Sequence, residues 1–185
     1  IPESVVEIGD SAFWKCSNLE SIKVDENNKV YDSRDNCNAI IEKSGNALIV
    51  GCKNTKVPEG VTEIGASAFK DCSGLASITL PESVTKIGGD AFRWCGGLAN
   101  ITLPDSVTEI GCGAFCGCSG LTNIMIPESV TKIGSDTFRC CSGLTNITIP
   151  ERVMEIGGYA FSECKALTYI TIPKSDVRQS FAFRK

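Results

Sequence analysis

The sequence predicts a repeat solenoid, a stack of short coils with a parallel β-sheet along one face. Three observations carry this reading. Pro58, Pro81, Pro104, Pro127, Pro150 and Pro173 follow one another at steps of 23 residues, and Pro2 precedes Pro58 by 56, one unit of 23 plus one of 33. With each proline counted as position 1, position 4 is valine, 7 isoleucine, 8 glycine, 12 phenylalanine, 15 cysteine, 18 leucine and 21 isoleucine in all six aligned copies. Eighteen glycines against 7% aromatic residues point to many tight turns around an aliphatic core. A single coil cannot bury these apolar residues alone, whereas stacking makes each row continuous.

The elements follow in chain order. Residues 1–24 form one coil. Residues 25–57 are an irregular insert of 33 residues in which Ala39-Ile40-Ile41 and Leu48-Ile49-Val50 flank the turn signal Ser44-Gly45-Asn46. This predicts a longer coil, or a hairpin protruding from the stack, that re-enters the register before Pro58. Residues 58–172 form five regular coils. In each, a stretch such as Leu121-Thr122-Asn123-Ile124-Met125-Ile126-Pro127 alternates apolar and polar residues and reads as a short strand ended by proline. Val130-Thr131-Lys132-Ile133-Gly134 reads as a second extended or tightly bent segment, Ala114-Phe115-x-x-Cys118 as one helical or 3₁₀ turn, and Ser119-Gly120 as the turn back. The Leu-x-x-Ile strands are expected in one parallel sheet, with the Phe row buried on the opposite side. Residues 173–185 lack the valine and the Ile-Gly pair and make a degenerate terminal unit. Ser180-Phe181-Ala182-Phe183 would close it either as a cap or as a truncated coil.

Composition excludes several function classes. The 185 residues are 42% hydrophobic and 22% charged, which suits a folded core. A net charge of −4 argues against a general nucleic-acid binder, which needs a basic face. There is no histidine, and so neither the commonest general base nor the commonest metal ligand. No nucleophile elbow or phosphate-cradling G-x-x-x-x-G-K is present, and the period explains the glycines. No catalytic residue, cofactor or metal ligand is assigned, and the chain reads as a non-enzyme. No apolar run approaches the roughly 18 residues of a membrane span, so membrane insertion is not expected. The chain opens at Ile1 inside a repeat, which reads as a piece of something longer.

The pattern L-x-x-I-x-[IL]-P-x-x-V-x-x-I-G-x-x-A-F-x-x-C resembles the leucine-rich repeats of the BspA-like bacterial surface proteins. The likeness covers nearly the whole chain apart from 173–185. The stretch 25–57, with Asn28, Tyr31 through Asn38 and Leu48-Ile49-x-Gly51-Cys52, resembles that family's longer insert repeat. The resemblance implies a curved, right-handed leucine-rich-repeat solenoid, its parallel sheet on the concave face and short extended or 3₁₀ segments elsewhere. It also implies a bacterial protein displayed at the cell surface or secreted, used in adhesion or in binding a host protein.

Six of the eleven cysteines, Cys16, Cys72, Cys95, Cys118, Cys141 and Cys164, share position 15. Stacked neighbours would have parallel Cβ vectors about 4.8 Å apart, beyond disulfide reach, so the row is expected to be a buried thiol ladder. Cys112, Cys116 and Cys118, and the adjacent Cys140-Cys141, have no zinc-finger spacing. Cys37 and Cys52 stand outside the period and could pair across a hairpin. At position 6, Glu63, Lys86, Glu109, Lys132 and Glu155 alternate in sign, as a surface ladder fixing register would. At position 2, Glu3, Glu59, Glu82, Asp105, Glu128 and Glu151 are all acidic: a solvated rim, or a weak strip for cations or a basic partner.

The default contact surface of such a solenoid is its strand face. Its outward positions 20 and 22 hold Ser77 and Thr79, Asn100 and Thr102, Asn123 and Met125, Asn146 and Thr148, and Tyr169 and Thr171. Most are small and neutral; Met125 and Tyr169 are the only large anchors. The expected partner is a protein or glycan, on a host matrix or another cell. Two functions stay open: a non-catalytic binding module of an adhesin-like protein, or a structural spacer presenting a separate binding domain.

Overall fold

The computed structural model describes residues 1–9 and 12–172 and the backbone of Arg178–Gln179. The expected terminal unit otherwise lies outside the described residues. The insert holds β1 (Tyr31–Asp32), a 3₁₀ turn at Arg34–Asn36, β2 (Ala39–Glu42) and β3 (Ala47–Gly51). There follow β4 (Glu63–Ile64), β5 (Ser77–Thr79), β6 (Lys86–Ile87), β7 (Asn100–Thr102) and β8 (Glu109–Ile110). The last are β9 (Lys132–Ile133), β10 (Asn146–Thr148), β11 (Glu155–Ile156), β12 (Tyr169–Thr171) and β13 (Arg178–Gln179).

The fold is a β-solenoid with almost no helix. Its continuous sheet is not built from the Leu-x-x-Ile strands. Nine strands pair instead in the order β1-β2-β3-β4-β6-β8-β9-β11-β13, the insert supplying the first three and positions 6 and 7 of successive coils the other six. The Leu-x-x-Ile side carries two separate parallel pairs, β5 with β7 and β10 with β12, and residues 121–126 between them form no strand. The reason lies in which side is forced close. Position 8 is always glycine, and a Cβ on Gly111 would sit 2.5 Å from the Gly89 nitrogen and 2.8 Å from the Gly88 carbonyl carbon. Without Cβ the coils meet there, and Gly88 and Gly111 donate to Ile64 and Ile87 of the preceding coil at 2.7 and 2.8 Å. Three-residue strands on the other side can lose one step of their ladder while this contact keeps the coils stacked.

The phenylalanine side uses a different ladder. Positions 10 and 14 adopt left-handed backbone in every regular coil, from Ser67 (φ 58) and Asp71 (φ 61) to Tyr159 (φ 58) and Glu163 (φ 60). Such angles are unfavourable for side chains other than glycine and persist where neighbours over-determine them. Here the N–H groups of positions 10, 12 and 14 all donate to the next coil: Asp90, Phe92 and Trp94 bond the carbonyls of Cys112, Ala114 and Cys116 at 2.9, 2.7 and 2.7 Å. The expected helical turn at Ala114-Phe115-x-x-Cys118 is therefore a single turn, closed by Cys118 N–H on the Phe115 carbonyl and ended by Gly117 at φ 76.

Inside, Phe69, Phe92, Phe115, Phe138 and Phe161 are buried and stack with centroids 5.1 to 5.6 Å apart and nearly parallel planes. The cysteine row packs beside them and also hydrogen-bonds. Each thiol from Cys95 to Cys164 donates to the Phe carbonyl of the preceding coil, Cys118 to Phe92 at 3.1 Å for example. All eleven cysteines are free thiols. Burial pushes the Cys72 and Cys164 thiols up to about 11, and those of Cys118 and Cys141 well above the ordinary value. Two members depart from the expected buried row: Cys164 is half-buried, and Cys16 is exposed, its coil meeting the insert rather than a regular neighbour.

The insert is a hairpin, but not a protruding one. β2 and β3 are antiparallel, and β3 continues the main sheet in parallel register with β4, Leu48 opposite Ile64. Cys37 and Cys52 are both buried, yet Cys37 faces the main core and Cys52 a smaller one with Ile22, Tyr31 and Ile40. The first coil rests on that smaller core. Buried Asn28 joins the two: its amide donates to the Pro2 and Val5 carbonyls at 2.8 and 2.9 Å, and its oxygen accepts from Val30 and Tyr31.

Two outcomes follow from this packing. Gly111→Ala should lower stability by about 3 kcal/mol, as overpacking against backbone does, read as a lower urea midpoint. With a thiol reagent on native protein, Cys16 and Cys112 should label first, and Cys95, Cys118 and Cys141 only after unfolding. Labelling of all eleven at one rate would contradict the buried ladder.

Candidate functional site

The outward face of positions 20 and 22 is built by period-2 alternation. In β5, β7 and β10 the central isoleucines Ile78, Ile101 and Ile147 are buried, and the residues on either side point to solvent. In parallel register, Ser77 stands beside Asn100 and Thr79 beside Thr102, while Asn146 stands beside Tyr169 and Thr148 beside Thr171. Asn123 and Met125 are exposed on the coil between the two pairs, joined to neither by a strand ladder. All ten expected contact residues are thus exposed, in two paired groups with an unpaired pair between them.

The face has few charges and two large side chains. Met125 is 77% and Tyr169 65% exposed, the anchors the sequence suggested. The threonine row just before the strands is partly spent on the scaffold: Thr145 and Thr168 hydroxyls donate to the carbonyls of Thr122 and Thr145, both at 3.2 Å. Asn146 donates its amide to the Thr145 hydroxyl. What remains is a row of hydroxyl and amide groups able to hydrogen-bond a partner, with a phenol and a thioether for apolar contact. None of these groups is a general base or nucleophile at neutral pH.

Sequence reasoning missed one feature here. A depression of about 330 Å³ lies at the end of the face beside Ser77 and Thr79, walled by Thr55, Lys56 and Val57 of the insert and by Glu59 and Pro81. Its walls come from the return of the irregular repeat, which carries no periodic signal. The charged rows lie elsewhere on the coil. At position 6, Glu63 pairs with Lys86 at 3.4 Å and Lys132 with Glu155 at 3.0 Å, as the alternating signs suggested. Exposed pairs of this kind contribute a few tenths of a kcal/mol up to about 1. The acidic position-2 residues are all exposed. Among the described residues, no group of three or more Cys, Asp or Glu side chains is arranged to hold a metal ion.

Comparison with known proteins agrees with this architecture. The BspA-type leucine-rich repeat region matches in six copies over residues 1–43 and 49–168. Among solved structures, a leucine-rich cell surface protein of Faecalibacterium prausnitzii is 38% identical, with a TM-score of 0.77 over 86% of this chain and 43% of its own. A leucine-rich repeat protein of Eubacterium ventriosum is 28% identical, with a TM-score of 0.82 over 94% of this chain and 48% of its own. A leucine-rich repeat protein of Treponema pallidum is 30% identical, with a TM-score of 0.64 over 82% of this chain and 72% of its own. The chain thus spans less than half the length of the first two. No curated protein matches it. Six repeat copies in register, a stacked Phe column and these relatives place the chain in the BspA-type leucine-rich repeat family.

Proposed function

We propose that this chain is a non-catalytic binding module of a bacterial cell-surface or secreted protein, which contacts a protein or glycan through the face between Ser77 and Thr171. The observation that carries the reading is the division of labour among positions. Valine, isoleucine, phenylalanine, cysteine and leucine are consumed by packing, and position 8 by close approach, whereas positions 20 and 22 are exposed and position 20 varies from Ser77 through three asparagines to Tyr169. A broad, shallow face of this chemistry suits weak contacts repeated along a stack, with Met125 and Tyr169 as the strongest points. The Faecalibacterium prausnitzii neighbour, described as a leucine-rich cell surface protein, supports the surface setting.

The spacer reading has its own support: the first two relatives run to more than twice the length matched here, so other regions could do the binding. One experiment separates the two. The chain and its Met125→Ala, Tyr169→Ala double variant are tested against immobilised extracellular-matrix proteins and a glycan array. Binding weakened about tenfold or more in the double variant is expected from loss of two anchors. Unchanged binding would move the contact away from this face, and no binding by the intact chain would favour the spacer.

A further inference from the structure

Among the described residues, the stack is interrupted once on its phenylalanine side. In the coil starting at Pro81, the carbonyls of Gly89, Ala91 and Arg93 accept from Ser67, Phe69 and Asp71 of the coil before, and the later coils repeat this. The coil starting at Pro58 turns the equivalent carbonyls, Ala66, Ala68 and Lys70, toward the insert. Only Ala68 is taken, by the Gly51 N–H at 2.8 Å. β3 runs from Leu48, opposite Ile64, to Gly51 in three residues where the regular coil takes five, from Ile64 to Phe69. It is a chord across the inside of the bend and builds no outer strip. Among the described residues, the Ala66 and Lys70 carbonyls accept no hydrogen bond, and in the first coil the Phe13 and Lys15 N–H groups donate none.

Between these two walls lies a cleft of about 510 Å³, with Ile49 to Gly51 along it and Phe13, Leu19 and Tyr31 among its apolar lining. A Cβ on Gly51 would collide with the Phe69 ring, so the aromatic column stops there. Trp14 spans the cleft, its indole N–H donating to Asp71. The charge balance is acidic: Lys70 is held by Asp90 at 3.1 Å, while Glu42 makes no ion pair among the described residues.

We propose that this cleft binds an extended peptide segment of a partner protein, lying outside the β3 chord as the outer strip the insert does not build. Its N–H groups donate to Ala66 and Lys70, its carbonyls accept from Phe13 and Lys15, an aromatic side chain enters the apolar space, and a basic residue beside it meets Glu42 and Asp71. This is strand addition to an open backbone edge, with side chains supplying selectivity. The regular coils show what fits such a strip: Ala68-Phe69-Lys70, Ala91-Phe92-Arg93. The inference does not depend on the strand face and can fail or succeed separately from it.

The test is titration of the ¹⁵N-labelled chain with the capped peptide acetyl-Ser-Ala-Phe-Lys-Ser-amide. Shift changes should be confined to residues 12–16, 49–51 and 66–72. Binding should weaken about tenfold or more when the peptide's phenylalanine becomes alanine, when its backbone is N-methylated, and in the Ala66→Tyr variant, whose exposed site allows folding to be checked by an unchanged melting curve. Glu42→Gln should weaken the lysine peptide but not a norleucine analogue. No binding, equal binding of the N-methylated peptide, or shifts centred on residues 77–171 would overturn the proposal. So would concentration-dependent dimerisation that closes the cleft without peptide.

Discussion

The spacing between coils is set by a glycine with no room for a Cβ, and the other interactions depend on that spacing. None of the glycines at position 8 lies in the left-handed region, so access to that region is not their role. A Cβ on Gly88 would lie 2.6 Å from the Ala66 nitrogen, and one on Gly134 2.9 Å from the Cys112 nitrogen. With backbone against backbone at this point, two-residue strands suffice to carry the sheet from β4 to β13. The same separation brings the phenylalanine rings to 5.1–5.6 Å, within the range of offset stacking.

That spacing also explains why position 15 is cysteine. The Phe carbonyl already accepts one backbone bond inside its own coil, from Cys95 to Phe92 for instance, and has a second lone pair directed into a dry interior. The cysteine of the next coil supplies a weak donor to it, Cys118 to Phe92 at 3.1 Å, while filling space as a small apolar group. Serine plays a comparable part at the wetter rim, where Ser83 and Ser106 donate to the Val61 and Val84 carbonyls of the preceding coil at 2.8 and 2.6 Å. Thiols held this way, with raised pKa values, are poor nucleophiles.

The repeat register, the buried Phe column, the thiol ladder and the hairpin at Ala39–Glu42 and Ala47–Gly51 were all legible, because each rests on residue types that recur or on a turn signal between apolar runs. The location of the continuous sheet was not. The x-Ile-Thr alternation at positions 20–22 and Glu-Ile or Lys-Ile at 6–7 both permit strands, and only the three-dimensional approach at glycine decides between them. The left-handed residues were hidden for a related reason. Trp94, Cys140 and Tyr159 carry no propensity for φ near 60, and the ladder of N–H groups to the next coil imposes it. Cys16 shows the limit of periodic inference: an identical residue at an identical position is exposed when its neighbouring coil is of another kind.

The ten face residues were legible for the opposite reason, since they are what remains after the scaffold has taken the rest. In a stack of this type a side chain is spared the core only where it points to solvent. Positions 20 and 22 do so in every regular coil, which makes for a repetitive and shallow surface. The insert breaks the repetition at one place. By shortening the path from Leu48 to Gly51 it opens backbone edges on the phenylalanine side, and by returning through Thr55 to Val57 it walls the depression beside Ser77 and Thr79. Regular coils give the chain length and rigidity. The irregular repeat gives it the cleft and the depression, and Asn28, with four side-chain hydrogen bonds, fixes the first coil against that repeat so that the cleft has a second wall.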